Sequence, residues 1–253
     1  MAAARAAVAG DRRGTRDRPA EGRGPAGRQR PLIAHAGVLT IWYGGTFDPV
    51  HDGHLAVARA AADAFDVPVT LAPAADPPHR GLTGADAAER AHMLDLAVAG
   101  DRRLRVDRRE LQRPGPSWTV DTLHELRTML GPAAPLALLM GADSFRSLPT
   151  WREWRRLPEL AHLIVAARHA DGDLDDLPAV LAEAVAGRWS DDPAELLAAP
   201  AGRVHALHQP LRAESATALR RAIAAGDPGW RSEVPAAVAA WIDARGLYRS
   251  PAP

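Results

Sequence analysis

The chain has 253 residues, 47% of them hydrophobic, enough to bury a core in one large domain or two small ones. Its 31 basic and 31 acidic residues balance to a formal charge of zero, every basic residue is Arg, and there is no Cys. This excludes a disulfide framework, a thiolate nucleophile and a thiolate metal site, and no apolar run reaches the roughly 18 residues that a membrane helix needs.

The charge is unevenly spread. Residues 1–38 carry eight Arg (5, 12, 13, 16, 18, 23, 28 and 30) against Asp11, Asp17 and Glu21, a net of +5 that leaves −5 for residues 39–253. With almost no large apolar side chain, this Ala/Arg/Gly/Pro-rich leader cannot offset the entropy of ordering and is expected to be disordered. It lacks the apolar segment of a secretory signal, so a cytoplasmic location is expected. The acidic remainder argues against nucleic acid as a partner, and no membrane partner is expected.

From Leu39 onward apolar strands alternate with helical patterns, the signature of an α/β fold, and residues 39–249 are expected to form one domain followed by a short tail at 250–253. Leu39 to Tyr43 reads as a buried strand, broken by Gly44 and Gly45, and an amphipathic helix begins near Gly53 with Leu55, Ala58, Ala62 and Phe65 on one face. Strand, glycine turn and helix together suit a phosphate, because the turn admits close backbone approach and the helix presents unpaired N–H groups. His51 and His54 fall at that anion, where each can donate a hydrogen bond to a phosphoryl oxygen. The plainer alternative is a pair of surface histidines in a turn.

A strand at 69–72 leads into Asp76 Pro77 Pro78 His79 Arg80, a proline-stiffened loop at a strand's carboxyl end. A helix over about 86–99 and a strand at 104–107 follow. Then Pro114 Gly115 Pro116 prohibits helix, and Ser117 or Thr119 is placed to cap the next helix, through Leu130. Leu136 to Met140 is the clearest buried strand. It ends in Gly141, and Asp143 stands either as a helix cap or where it can accept from a ribose hydroxyl or a base amine. Beyond Leu148 Pro149 Thr150, Trp151 and Arg152 open a helical run to Leu160, followed by a strand at 162–167.

Residues 168–202 read as a variable insertion of short helices without chemistry, and 204–207 as the last strand. Ser215 can cap the next helix, and Thr217 and Arg220 share its face, so the three could cradle a polyphosphate or simply form a capped helix. The chain ends in a helix through Val238, Trp241 and Ile242 to Gly246.

The segments GGTFDPVHDGH, DPPHR, RPGPSWTVDTL, GADSFRSLPTW and ESATALR, in this order, resemble those of bacterial nicotinate-nucleotide adenylyltransferases, and the resemblance spans about Leu39 to Arg249. It implies a Rossmann-like nucleotidylyltransferase fold, an open and mostly parallel sheet with helices on both faces. The implied reaction joins ATP to nicotinate mononucleotide with Mg²⁺, giving nicotinate adenine dinucleotide and pyrophosphate. The substrate's own phosphate attacks, so positioning and electrostatic stabilisation supply the catalysis.

By the same resemblance His51 and His54 stabilise the α-phosphate, while Gly44, Gly45, Thr46 and Phe47 wrap phosphates. His79 and Arg80 match basic residues near the mononucleotide phosphate. Trp151 matches a residue that stacks on the nicotinate ring, and Thr119, with backbone near Arg152, one that binds its carboxylate. Gly141 and Asp143 fall on the nucleoside-binding turn, and Ser215, Thr217 and Arg220 match the ATP polyphosphate motif. No protein metal site is implied, since Mg²⁺ comes with the substrate phosphates, and the oligomeric state is left open. Glu214 departs from the usual Ile. An acid there repels triphosphate by roughly 1 kcal/mol or more unless it points away or pairs with Arg212. Sibling enzymes acting on the amidated mononucleotide, phosphopantetheine or a cytidylyl acceptor, and a nucleotide-binding protein without catalysis, are the alternatives.

Overall fold

The computed structural model describes residues 38–75, 84–167, 174, 176–208 and 214–249. The leader, the DPPHR loop with His79 and Arg80, Arg212 and the tail lie outside the described residues. The described residues build six strands: β1 (Thr40–Gly45), β2 (Val69–Pro73), β3 (Leu104–Val106), β4 (Leu136–Gly141), β5 (His162–Ala167) and β6 (Val204–His208). They pair in parallel in the order β3-β2-β1-β4-β5-β6. The strand order reverses at β1/β4, the switch point where open α/β sheets bind ligands beyond their carboxyl ends.

Because both faces of such a sheet are covered, its strands are continuous apolar runs, as in the wholly buried β5. Their period of two still divides the residues between two cores. Ile41 and Tyr43 of β1, Leu139 of β4 and Ile164 of β5 enter one core. Trp42, Leu138 and Val165 enter the other. On the first face pack α1 (Asp52–Phe65), which begins one residue before the expected Gly53, and α2 (Ala87–Val98). After the single turn of α3 (Arg109–Gln112), α4 (Thr119–Leu130), α5 (Ala142–Arg146), α6 (Leu157–Leu160) and α7 (Ala179–Val185) bring Leu123, Phe145, Leu157 and Leu181 to the second face. The chain returns to the first face with Leu196 of α8 (Pro193–Ala198), α9 (Ala216–Ala225) and α10 (Ala236–Arg245). Residues 176–202, expected to be an insertion, therefore supply apolar side chains to both cores.

Two polar side chains buried in this frame hold loops by their backbone. Arg90 of α2 is fully buried and donates from Nη1 to the Thr46 carbonyl at 2.6 Å and from Nη2 to the Ala74 carbonyl at 2.8 Å. It thereby fixes the segments that follow β1 and β2. His162, also fully buried, bonds the Ala199 carbonyl through Nε2 at 2.9 Å and accepts from the Arg203 N–H through Nδ1 at 3.0 Å. That pairing requires the neutral ring with its proton on Nε2, and burial accordingly lowers the His162 pKa from 6.5.

Replacing Arg90 with Met strands two buried carbonyls at roughly 1–3 kcal/mol each. Denaturant unfolding of the variant should therefore show a loss of about 3 kcal/mol with an unchanged m value.

Candidate active site

At the carboxyl end of β1, Gly45 is glycine for an internal reason. A Cβ there would lie 2.9 Å from the Phe47 ring. Phe47 itself holds φ at +50°, a strained backbone that persists because its ring is buried, 5.5 Å edge-to-face from Tyr43 and 5.0 Å from His54. Sequence placed Phe47 among the phosphate-binding residues, but its side chain serves the core, and only its backbone borders the turn. Gly44 meets no such obstacle, since the nearest atom to a Cβ would be Trp42 Nε1 at 3.7 Å.

The two histidines cap each other. His51 is the N-cap of α1, its Nδ1 accepts from the His54 N–H at 3.3 Å, and His54 Nδ1 accepts from the His51 N–H at 3.3 Å. This is a capping box built from imidazoles. Their rings stack at 3.6 Å with 29° between planes. With each Nδ1 committed as an acceptor, a neutral ring carries its proton on Nε2, so the pair offers two N–H donors at the start of a helix. Burial, and then the neighbouring His51, lower the His54 pKa well below 6.5, which keeps it a neutral donor near pH 7. Gly53 makes the stack fit, because a Cβ there would lie 3.0 Å from His51 Nδ1. Glu214 approaches the same spot, with Oε2 3.5 Å from that Cβ position. It is turned toward the α1 N-terminus, where N–H groups favour a carboxylate, rather than away from it.

Behind this turn lies a hub that sequence reasoning missed. Asp48 is buried, and its carboxylate accepts from Gly84 N at 3.0 Å, Ala85 N at 3.2 Å and the Tyr248 hydroxyl at 2.7 Å. Arg220 donates from Nη1 to the Asp48 carbonyl at 2.6 Å and from Nη2 to Thr217 Oγ1 at 3.3 Å. Ser215 occupies the N-cap position of α9, but its hydroxyl makes no capping bond. The first-turn N–H groups of α9 receive no bond from it.

The segments around Trp118 and Trp151 also meet. The Arg152 guanidinium lies 5.7 Å over the Trp118 ring, and both Trp118 and Trp151 pack on the second core. Trp118, not Ser117 or Thr119, is the N-cap of α4, and it makes no side-chain cap. Ser117 is engaged elsewhere: Arg113 donates to it, to Thr122 Oγ1 at 3.2 Å and to Glu125 at 2.8 Å. Thr122 in turn donates to the buried Glu110 at 2.8 Å, and burial raises the Glu110 pKa. Thr119 opens α4 on this frame. At the end of β4, Gly141 is the N-cap of α5, so Asp143 is not. Asp143 is exposed and pairs with Arg146. No atom of the described residues lies within 4 Å of a Cβ at Gly141, whose φ of −77° suits any residue. No group of three or more His, Asp or Glu that could hold a metal occurs among the described residues.

Two predictions follow from this geometry. Gly45→Ala must displace the Phe47 ring and should lower stability by roughly 1–3 kcal/mol, whereas Gly141→Ala should leave the thermal midpoint unchanged. The second concerns pH. His54 and His162 have folded pKa values below the unfolded 6.5, so below that pH the unfolded chain binds protons that the native state refuses. Stability should be full above about pH 6.5 and fall as pH drops below it. His162→Gln, which can keep both hydrogen bonds, should flatten part of that slope in denaturant titrations.

Residues 42–222 match the cytidylyltransferase-like family. A protein of Stenotrophomonas maltophilia (strain K279a) named "Probable nicotinate-nucleotide adenylyltransferase" is 54% identical over 220 residues, covering 85% of this chain and 99% of its own length. One of the same name from Xylella fastidiosa (strain M12) is 45% identical over 214 residues, covering 83% and 96%. Among solved structures, Plasmodium falciparum nicotinic acid mononucleotide adenylyltransferase complexed with NaAD superimposes with a TM-score of 0.64 at 13% identity, covering 83% of this chain and 97% of that one, which shows a common fold. With a mutually capped histidine pair at the switch point of a parallel sheet, and relatives this similar along nearly their whole length, the chain belongs to the nicotinate-nucleotide adenylyltransferase family.

Proposed function

We propose that this protein transfers the adenylyl group of ATP to nicotinate mononucleotide, giving nicotinate adenine dinucleotide and pyrophosphate. The observation that carries the reading is the His51–His54 pair, whose Nε2–H donors are fixed at the α1 N-terminus beyond the carboxyl end of β1. Attack of one phosphate on another spreads negative charge over equatorial oxygens. Neutral donors already aimed at that charge stabilise it without reorganising. No side chain here need act as a nucleophile, because the mononucleotide phosphate supplies the attacking oxygen and pyrophosphate carries away the electron pair. Mg²⁺ enters with ATP as part of the substrate.

Around that centre each lobe has a task. Gly44 and Thr46 border the phosphates, and Arg220 with the open first turn of α9 faces the leaving pyrophosphate. The free space beside Gly141 admits the nucleoside. Trp151, Arg152 and Thr119 take the pyridine ring and its carboxylate, a reading supported by Arg152 lying over the Trp118 ring and by Trp118 and Trp151 packing on the same core. His79 and Arg80 complete the mononucleotide phosphate site on this reading. A cytoplasmic setting suits a chain without Cys.

The test supplies ATP, Mg²⁺ and either the acid or the amide mononucleotide and follows pyrophosphate. Preference for the acid is expected; turnover of the amide alone would reassign the substrate, and no release with either would remove the reaction. His54→Ala should lower turnover about a hundredfold, near 3 kcal/mol of transition-state stabilisation, with circular dichroism unchanged.

A further inference from the structure

The Asp48 hub joins four distant parts of the chain at one carboxylate. Oδ1 takes the Tyr248 hydroxyl and Ala85 N, and Oδ2 takes Gly84 N. Arg220 Nη1 stands beside them, 3.8 Å from Oδ2, yet it donates to the Asp48 backbone carbonyl instead of forming a close pair with the carboxylate. About a third of the Arg220 side chain is exposed. A buried carboxylate with vacant lone pairs would draw a guanidinium into a bidentate pair and neutralise it. Here neutral donors take three of the roughly four lone pairs, two on Oδ1 and one on Oδ2.

We propose that Tyr248 is a positioning residue for ATP: its hydroxyl, with the two backbone N–H groups, satisfies the Asp48 carboxylate and so keeps the Arg220 guanidinium available to the polyphosphate. The residue is well placed for such work. Tyr248 sits at φ +63° just after α10, in a turn closed by the Leu247 N–H on the Ile242 carbonyl at 3.1 Å. Gly84 lies directly beneath its ring, where a Cβ would come within 2.4 Å. Burial and the adjacent Asp48 raise the phenol pKa, so the hydroxyl remains a donor. The last turn of the fold thus reaches the turn that carries the histidines, 200 residues away.

The inference rests on the assignment of Arg220 to ATP and is tested by binding as well as turnover. Mg²⁺–ATP is titrated calorimetrically into full-length wild type, Y248F, R220Q and the double variant, with mononucleotide affinity measured alongside. Y248F should weaken ATP about fivefold, the scale of one hydrogen bond, and leave the mononucleotide unaffected. In the R220Q background the same change should cost less than about twofold, since the two residues act in series. An equal cost in both backgrounds, an equal loss for both substrates, or no loss at all would overturn the proposal. If Y248F does not fold, Gly84→Ala, whose methyl ejects the ring, carries the same comparison. Wild type that binds ATP without releasing pyrophosphate would strike the reaction and leave the binding cycle to judge Tyr248. Wild type that binds no ATP would overturn the inference.

Discussion

Two backbone N–H groups at the start of α1 are satisfied by the side chains of the residues that donate them, His51 for His54 and His54 for His51. Most helices spend a Ser, Thr or Asp on this task, and the cap then has no further use. An imidazole has a second nitrogen besides the one that caps. The arrangement fixes tautomer and ring orientation in one step, and burial keeps His54 neutral.

The sheet supplies the place. Reversal of strand order at β1/β4 opens a crevice beyond their carboxyl ends, and the two cores on either face hold the strands rigid beneath it. The turns above would otherwise carry unsatisfied polar backbone, and buried side chains answer that need. Arg90 takes the carbonyls of Thr46 and Ala74, and Asp48 takes the N–H groups of Gly84 and Ala85. Both are costly residues to bury, and both are held by several hydrogen bonds. Their effect is to couple the loops after β1 and β2 to each other, so that a ligand bridging them meets a preorganised surface.

Electrostatics and packing divide the remaining work. One side of the crevice is lined by donors: imidazole N–H, helix N-termini and a guanidinium. The other carries indole surface, with the Arg113–Ser117–Thr122–Glu110 network holding the loop before α4 in place. Glu214 is turned to the α1 N-terminus, where the positive end of the helix dipole favours its negative charge.

Much of this was legible in the residues. Apolar runs alternating with helical patterns announced the α/β fold, and five ordered segments carried the family, because those signals are local. What the sequence could not disclose depends on residues distant along the chain. Asp48 reads as a turn residue until Tyr248 and Arg220 fold onto it; Arg90 looks like a surface cation on a helix of low amphipathicity; and Phe47 looks ligand-facing until its ring is seen filling the space that Gly45 leaves. Local chemistry determined which residues could meet a phosphate. Only tertiary packing decided which glycine is there for the core and which has room for a ligand, and which charges are spent within the protein, since each answer depends on atoms that approach only when both faces of the sheet are covered.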